Sequence, residues 1–241
     1  MRRSGRRLGR AALFALETLG AARDEDAPRD DRARARRLSW IAENVCALHG
    51  IHVVCRGPVP NGPVVLVSNH LGYLDPPALV SLVPALPVAK RELGDWPVVG
   101  ELLRGHGVLL VDRDDPHSGA RILRRATRAL EAGAAVLTFP EGTTSEGRDV
   151  LPFRRGIFGI ARRTGVPVVP VTIRYDTREA CWVGDATFLP HYVRTTTRPR
   201  VRVDLAFAPA LPRAFDSAEA LAAFARELIR VELPAHPDGP R

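Results

Sequence analysis

The sequence predicts an α/β fold with a mixed, largely parallel central sheet flanked by helices. From residue 51 onward, short apolar runs alternate with helical stretches, which is the pattern of strand and helix units in sequence. The runs are apolar throughout rather than alternating apolar with polar, as expected for strands that are covered on both faces. The chain has 241 residues, of which 45% are hydrophobic and 26% charged, so one large domain with a substantial core is expected.

The elements follow from these runs in chain order. Strands are predicted at residues 52–55, 64–68, 108–112, 134–139, 168–173 and 201–207. Helices are predicted at residues 76–82, 98–103, 118–132, 157–164 and 217–233. Pro167 directly precedes the fifth strand and Pro170 lies within it. Neither can donate to a β-ladder, so this strand is expected to be irregular or at an edge, bordering a cleft.

The first 40 residues form a charge-dense segment. They hold 11 arginines and six acidic residues, a surplus of five within a net charge of +8. Two amphipathic helices are predicted there, one with Leu8, Ala12, Leu16 and Leu19 at helical spacing and one over residues 31–48. Basic amphipathic helices are typical of a protein on anionic lipid, and they equally fit a hairpin that packs on its own domain.

The domain organisation expected from this pattern has three parts. Residues 1–48 are a basic, membrane-facing helical appendage, residues 49–233 are the main domain, and residues 234–241, with three prolines, are a flexible tail. No stretch reaches the roughly 20 apolar residues needed to span a bilayer, so peripheral binding at the cytoplasmic face of a membrane is expected. Three cysteines without a CxxC pattern fit a reducing compartment and argue against structural zinc.

The basic excess admits a nucleic acid, an anionic membrane or a phosphorylated substrate as partner. Lys90 is the only lysine, so the excess is almost entirely arginine. Nucleic-acid binding is disfavoured, because the arginines cluster in the helical start and aromatic residues make up only 6% of the chain.

The first motif with chemical content follows the strand at residues 64–68 and runs from Asn69-His70 to Asp75. A turn that contains Gly72 separates His70 from Asp75 and can fold the carboxylate back onto the imidazole. A carboxylate on one ring nitrogen fixes the tautomer and raises the basicity of the other, which makes a general base for a hydroxyl group. The spacing alone is weak and also fits a histidine bonded to backbone at a strand end.

Three further motifs lie at strand ends or helix starts. Glu141, Gly142 and Thr143 follow the strand at 134–139 in a turn that can bind an anion or a polyol. Arg113 ends the strand at 108–112 and is a candidate phosphate ligand, unless it pairs with neighbouring aspartates. Arg154 and the arginine beside it precede a helix start, which is a natural anion site.

Taken together in this order, the motifs Asn-His-x4-Asp, Gly-x-x-x-Val-Asp-Arg, Phe-Pro-Glu-Gly-Thr and Val-Pro-Val-Val-Pro-Val resemble the glycerolipid acyltransferase family, which includes the lysophosphatidate acyltransferases. The resemblance covers about residues 50–210. It implies that His70 and Asp75 are catalytic. It implies further that the acceptor is bound by Arg113, Glu141, Gly142 and Thr143. To these we add two neighbours from the motifs above, Asn69 and Arg154.

The resemblance also implies an acyl-CoA or acyl carrier protein donor, a lysophospholipid acceptor, and no metal or cofactor. The acceptor expected first is 1-acylglycerol-3-phosphate, which would give phosphatidate. Thr144 stands where the lysophosphatidate branch commonly has an arginine, and the stretch Phe-Pro-Glu-Gly-Thr-Thr-Ser is similar to that of members acting on other lysolipids, such as lyso-ornithine lipid. That acceptor is the alternative.

Overall fold

The computed structural model describes residues 28, 30–96, 99–112, 114–115, 117–184, 187–196, 198, 200–212 and 215–233. Within them one seven-stranded sheet is formed by β1 Ile51–Arg56, β2 Val65–Ser68, β3 Ala85–Lys90, β4 Leu109–Val111, β5 Ala135–Thr138, β6 Val168–Tyr175 and β7 Val201–Phe207. The helices are α1 Asp31–His49, α2 Asp75–Val80, α3 Val99–Gly105, α4 Ser118–Glu131, α5 Gly156–Thr164, α6 Phe188–Thr196 and α7 Ala218–Glu232, with 3₁₀ turns at Arg91–Asp95 and Arg178–Ala180.

The strands lie in the order β1-β7-β6-β2-β5-β3-β4. All neighbouring pairs are parallel except β6 and β7, so β1 and β7 run against the other five strands. The predicted mixed, largely parallel sheet is therefore confirmed. Because β2 and β5 are parallel neighbours at the centre, the segments that follow them emerge at the same edge of the sheet.

The core is centred on β2, whose four residues are all buried. Successive side chains of a strand point to opposite faces, so burial of every residue means that both faces of the sheet are covered. Val65, Leu66 and Val67 are each 0% exposed. Removing a buried leucine side chain from such a centre costs about 2–5 kcal/mol, so β2 is a rigid base for the loop that follows it.

Helix α1 confirms the helix expected over residues 31–48. Asp30 caps it by accepting the N–H of Ala33 at 2.8 Å, and Gly50 ends it with a φ of 67°, a left-handed conformation that favours glycine. The helix packs against α2 and β3, and Asp31 forms a salt bridge with Arg125 of α4. Residues 1–27, with the other predicted helix, lie outside the described residues.

The buried residues of α1 belong to the same hydrophobic core as the sheet, including Ala35 at 1% and Leu38 at 5% exposure. Helix α1, which belongs to the expected appendage of residues 1–48, is therefore packed into the main core. No helix in the described part of the chain is long and apolar enough to cross a bilayer.

Prolines account for two differences from the expected sheet. Strand β6 lies between β7 and β2 and is not at an edge. Pro170 is tolerated in it because the ladder with β7 begins only at the next residue, Val171. The carbonyl of Pro170 accepts the N–H of Ala208 at 2.9 Å, so the side of the proline that lacks a donor faces the end of that ladder. Strand β3 was not expected, and its Pro87 likewise lies just before pairing with β4 begins at Val88.

Candidate active site

Two loops meet at the carboxyl ends of β2 and β5. The loop after β2 carries His70 and leads into α2, which begins at Asp75, while the loop after β5 carries Glu141. The N–H of Ser145, in the second loop, donates to the carbonyl of His70 in the first at 2.8 Å. The structure therefore brings the two strongest sequence motifs together.

His70 and Asp75 form the hydrogen-bonded pair that the sequence spacing suggested. His70 Nδ1 lies 2.7 Å from Asp75 Oδ2, and Asp75 is 0% exposed. A carboxylate only accepts, so Nδ1 carries the proton and the lone pair of the neutral ring is on Nε2. The His70 side chain is 20% exposed, and Nε2 makes no hydrogen bond to any residue that the structure describes. This arrangement suits a general base that takes a proton from a substrate bound on its solvent-exposed side.

Backbone and ring contacts hold the pair in place. Asp75 Oδ2 also accepts the N–H of Leu71 at 2.6 Å and that of Gly72 at 2.9 Å, which closes the turn around the carboxylate. The imidazole of His70 stacks on the ring of Phe139, with centroids 4.1 Å apart and an angle of 17° between planes. The ring is thus fixed both along its edge and across its face.

Tyr175, at the end of β6, was not expected at the site. Its hydroxyl group donates to Asp75 Oδ1, the oxygen that the turn leaves open. Burial, together with the nearby charge of Asp75, raises the pKa of Tyr175 well above its ordinary value, so the phenol stays protonated. The sequence offered one signal, a tyrosine two residues past the predicted end of a strand that shares its carboxyl edge with β2.

Asn69 is placed in the core rather than at an open surface. It is 0% exposed, its Nδ2 donates to the carbonyl of Ile173 at 3.0 Å, and its Oδ1 accepts the N–H of Ile173 at 2.8 Å. The amide thus copies a backbone group and continues the β2–β6 ladder past Ser68. These bonds make Asn69 an anchor of the His70 loop, and the contact with the acceptor expected from the sequence stays a prediction.

Glu141 is likewise engaged by backbone. It is 6% exposed, with Oε1 accepting the N–H of His70 at 2.8 Å and Oε2 accepting that of Leu151 at 3.0 Å. Burial raises the pKa of Glu141, and these two donors partly offset the effect. Oε1 reaches the loop after β2, whereas Oε2 closes the loop after β5 on itself, so Glu141 ties the loop after β5 to His70. Its expected contact with the acceptor stays a prediction.

Gly142, Thr143 and Arg154 lie at the rim of the site. Gly142 has a φ of 74°, and its N–H is used within the turn, donating to Phe139 at 3.0 Å. A Cβ at this position would come within 2.8 Å of Arg154 Nε, so the guanidinium lies directly over the turn. Thr143 is exposed. Arg154 is exposed and has no acidic partner among the described residues, whereas Arg155 pairs with Glu219.

Arg113, the remaining predicted ligand, lies outside the described residues. The structure thus places Asp75, Glu141 and Phe139 around His70, and Tyr175 behind Asp75. One guanidinium, that of Arg154, stands beside them on the glycine turn. The chemistry that this permits is proton removal from a hydroxyl group next to a place where an anion can bind.

Comparison with known proteins agrees with this chemistry. The family model described as Acyltransferase matches residues 48–174. A lyso-ornithine lipid O-acyltransferase of Pseudomonas aeruginosa is 32% identical over 206 residues, covering 83% of this chain and 79% of that protein. A 1-acyl-sn-glycerol-3-phosphate acyltransferase of Neisseria meningitidis serogroup B is 31% identical over 172 residues, covering 70% of this chain and 67% of the other.

A solved structure shares the fold. The crystal structure of the 1-acyl-sn-glycerophosphate acyltransferase PlsC from Thermotoga maritima superposes with a TM-score of 0.63 at 25% identity, covering 92% of this chain and 87% of that one. The family match extends over more than half of the chain and includes both loops of the site. The chain belongs to the acyltransferase family, as an acyltransferase of the kind that includes the lysophosphatidate and lyso-ornithine lipid enzymes.

Proposed function

We propose that this enzyme transfers an acyl group from a thioester, acyl-CoA or acyl carrier protein, to the free hydroxyl of an anionic lysolipid, with His70 as general base. The observation that carries the proposal is the 2.7 Å bond from His70 Nδ1 to the buried Asp75, which leaves Nε2 open toward solvent. The family supplies the reaction type.

The proposed step needs only the residues of this site and its two substrates. Nε2 of His70 takes the hydroxyl proton as the acceptor oxygen attacks the thioester carbonyl, and the new C–O bond replaces the C–S bond. The proton then passes to the departing thiolate, so the histidine returns to its neutral form. Asp75 stabilises the imidazolium that exists in between, as a buried carboxylate does for a histidine base.

Arg154 supports lysophosphatidate as the acceptor. Its guanidinium lies on the Gly142 turn and lacks an acidic partner among described residues, so it is available for two parallel hydrogen bonds to a phosphate. Thr144 removes one cation that the family's lysophosphatidate branch commonly has at this turn, and Arg154 supplies a cation at the same place. The proposed product is phosphatidate.

Lyso-ornithine lipid is the second candidate acceptor. Two observations favour it: Thr144 in the turn, and the 32% identity to the Pseudomonas aeruginosa lyso-ornithine lipid enzyme over 83% of this chain. An ornithine head group that is acylated on its α-amine carries one carboxylate and one ammonium group, so it needs less cationic charge at the rim than a phosphate monoester does.

The test is a matrix of donors and acceptors. Acyl-CoA and acyl carrier protein thioesters are each assayed with lysophosphatidate, lyso-ornithine lipid and neutral lysolipids, using wild type and His70→Ala. Highest kcat/KM with lysophosphatidate supports the first candidate, and highest kcat/KM with lyso-ornithine lipid replaces it by the second. If His70→Ala turns over as fast as wild type, His70 is not the general base.

Arg154→Ala is expected to lower kcat/KM for lysophosphatidate by about 10- to 100-fold, mainly through KM, because a charge-assisted contact to phosphate is lost. Neutral acceptors should change little. Arg155→Ala is the matched control: this neighbour is exposed and paired with Glu219, so steady-state kinetics should stay within about twofold of wild type. Equal losses in both variants, or none in Arg154→Ala, would remove Arg154 from the phosphate site.

The basic start of the chain is proposed to bind an anionic membrane surface from the cytoplasmic side. Five of the eight net charges lie in the first 40 residues, and polybasic segments bind anionic lipid. The fold divides this segment, since α1 is part of the core and residues 1–27 precede it.

Deleting residues 1–27, which hold six arginines and four acidic residues, is therefore expected to weaken sedimentation with anionic vesicles. Deleting residues 1–37 also removes Asp31, which pairs with Arg125, and the buried Ala35, so this variant should unfold at a clearly lower temperature. Vesicle binding that survives the shorter deletion, or that is equal with neutral vesicles, would refute a docking role for the start of the chain.

A further inference from the structure

We propose that Tyr175 is a positioning residue of the reaction: its hydroxyl group fixes Asp75 and thereby sets how strongly His70 holds a proton. The inference rests on the proposed role of His70. It assigns to Tyr175 a function through Asp75, without contact to either substrate.

The geometry around Asp75 assigns a separate task to each carboxylate oxygen. Oδ2 takes three donors, His70 Nδ1 and the backbone N–H groups of Leu71 and Gly72. Oδ1 takes the hydroxyl of Tyr175, and the structure describes no other donor to it. A carboxylate that is 0% exposed cannot find water as a substitute, so Tyr175 completes the hydrogen bonding of the charge.

Strand β6 gives Tyr175 a fixed position. Tyr175 lies opposite Val203 in the antiparallel ladder with β7, and two residues earlier Ile173 holds both atoms of the Asn69 amide. The same strand therefore anchors the start of the His70 loop through Asn69 and its end through Asp75. A rotation of the Asp75 carboxylate would break the Tyr175 bond together with those of the turn.

The hydroxyl also withdraws charge from the carboxylate. A donor to Oδ1 stabilises the anion, which then attracts the proton on His70 less strongly than an unbonded carboxylate would. Without this donor the imidazolium is more stable, and His70 is in its basic form only at higher pH. The expected signature is a shift of the acidic limb of the rate profile, which a loss of packing alone would not produce.

Other ionisable groups near Asp75 limit what else can produce such a shift. The titratable side chains that act on it are His70 from its own turn, Tyr175 from β6, Glu141 from the loop after β5, and Cys181 from the segment after the second 3₁₀ turn. Tyr73, whose hydroxyl bonds His191, acts on Tyr175. Burial raises the pKa of Cys181 to about 11 and also raises that of Tyr73, so both stay neutral in an acidic titration. Glu141 remains as the group to be controlled.

The experiment compares Tyr175→Phe with wild type in kcat and kcat/KM across pH. We expect kcat to fall roughly tenfold with KM within about twofold, since a charge-assisted hydrogen bond is lost but no substrate contact is. The midpoint of the acidic limb should move up by roughly half a pH unit. Tyr192→Phe is the matched control, because Tyr192 is half-buried and bonds His49 away from the pair; its limb should not move.

Two measurements keep the result interpretable. The shift should persist in a Glu141→Gln background, which excludes Glu141 as its source. Replacing all three tyrosines of the chain by 3-fluorotyrosine strengthens the phenol as a donor without changing the side chain's length, so the limb should move to lower pH, equally in wild type and Tyr192→Phe. This second measurement does not depend on the stability of Tyr175→Phe.

The outcomes separate the two proposals. A wild-type pH–rate profile without an acidic limb, or activity that does not depend on His70, overturns the proposed function. A His70-dependent wild type with an unmoved limb in both Tyr175→Phe and the fluorinated protein overturns the role of Tyr175 alone. Opposite shifts in the two proteins support it.

Discussion

Replacing His70 by alanine is expected to lower acyl transfer by roughly 10³-fold, because general-base catalysis by a positioned side chain contributes about that much. The loss should appear in kcat with every donor and acceptor pair, since His70 acts on the hydroxyl common to all acceptors. Acyl transfer followed by product mass under saturating substrates measures it.

Folding of His70→Ala is checked by thermal unfolding. The side chain is partly exposed and its removal breaks one hydrogen bond and one ring contact, so the expected cost is only about 1–2 kcal/mol. His52→Ala is the matched control: His52 is an exposed histidine on β1, and full activity is expected. A folded His70→Ala enzyme with near wild-type turnover would contradict the mechanism.

Asp75→Asn should lower kcat by a comparable factor, roughly 10³-fold, with a small effect on folding. The asparagine oxygen can take the place of Oδ2 and keep its three donors, while the amide nitrogen faces Tyr175, whose hydroxyl can turn to accept. The shape survives but the negative charge that stabilises the imidazolium does not. Steady-state kinetics and chemical denaturation, measured together, test both parts.

Asp75→Ala separates charge from hydrogen bonding. It leaves the donors of Leu71, Gly72 and Tyr175 without their acceptor in a buried site, so a loss of about 3 kcal/mol or more in unfolding free energy is expected. Asp176→Asn, at an exposed position next to Tyr175, serves as the control for both variants. Full activity in folded Asp75→Asn would show that the carboxylate charge is not needed.

The sheet and the histidine–aspartate pair could be predicted from the sequence because both depend on local pattern. Apolar runs such as that of β2 are buried on both faces, and a six-residue turn brings His70 to Asp75 without help from distant segments. Strand β3 was missed because Pro87 interrupts its apolar run. The structure shows why the proline is tolerated, since pairing of β3 with β4 begins only at Val88.

The parts of the site that escaped prediction depend on contacts between distant segments. Tyr175 meets Asp75 across 100 positions of sequence, through a strand order in which β6 and β2 are neighbours. The family resemblance implied that Glu141 contacts the acceptor, and Asn69 was added as a neighbour from the motif series. The structure shows that the backbone of Ile173, His70 and Leu151 takes up the polarity of both side chains. The sequence shows that a side chain can form hydrogen bonds, but it does not show which group will be the partner.

The way Glu141 is bonded has a consequence for how acceptor preference can diverge. Glu141 sets the course of the turn by its bonds to His70 and Leu151, whereas the side chains of Thr143 and Thr144 form no hydrogen bond to the described residues. Substitutions at these two positions are therefore expected to leave the bonds that hold His70 in place. If Thr143 and Thr144 contact the acceptor as proposed, head-group preference can change in this scaffold while the histidine–aspartate pair stays fixed.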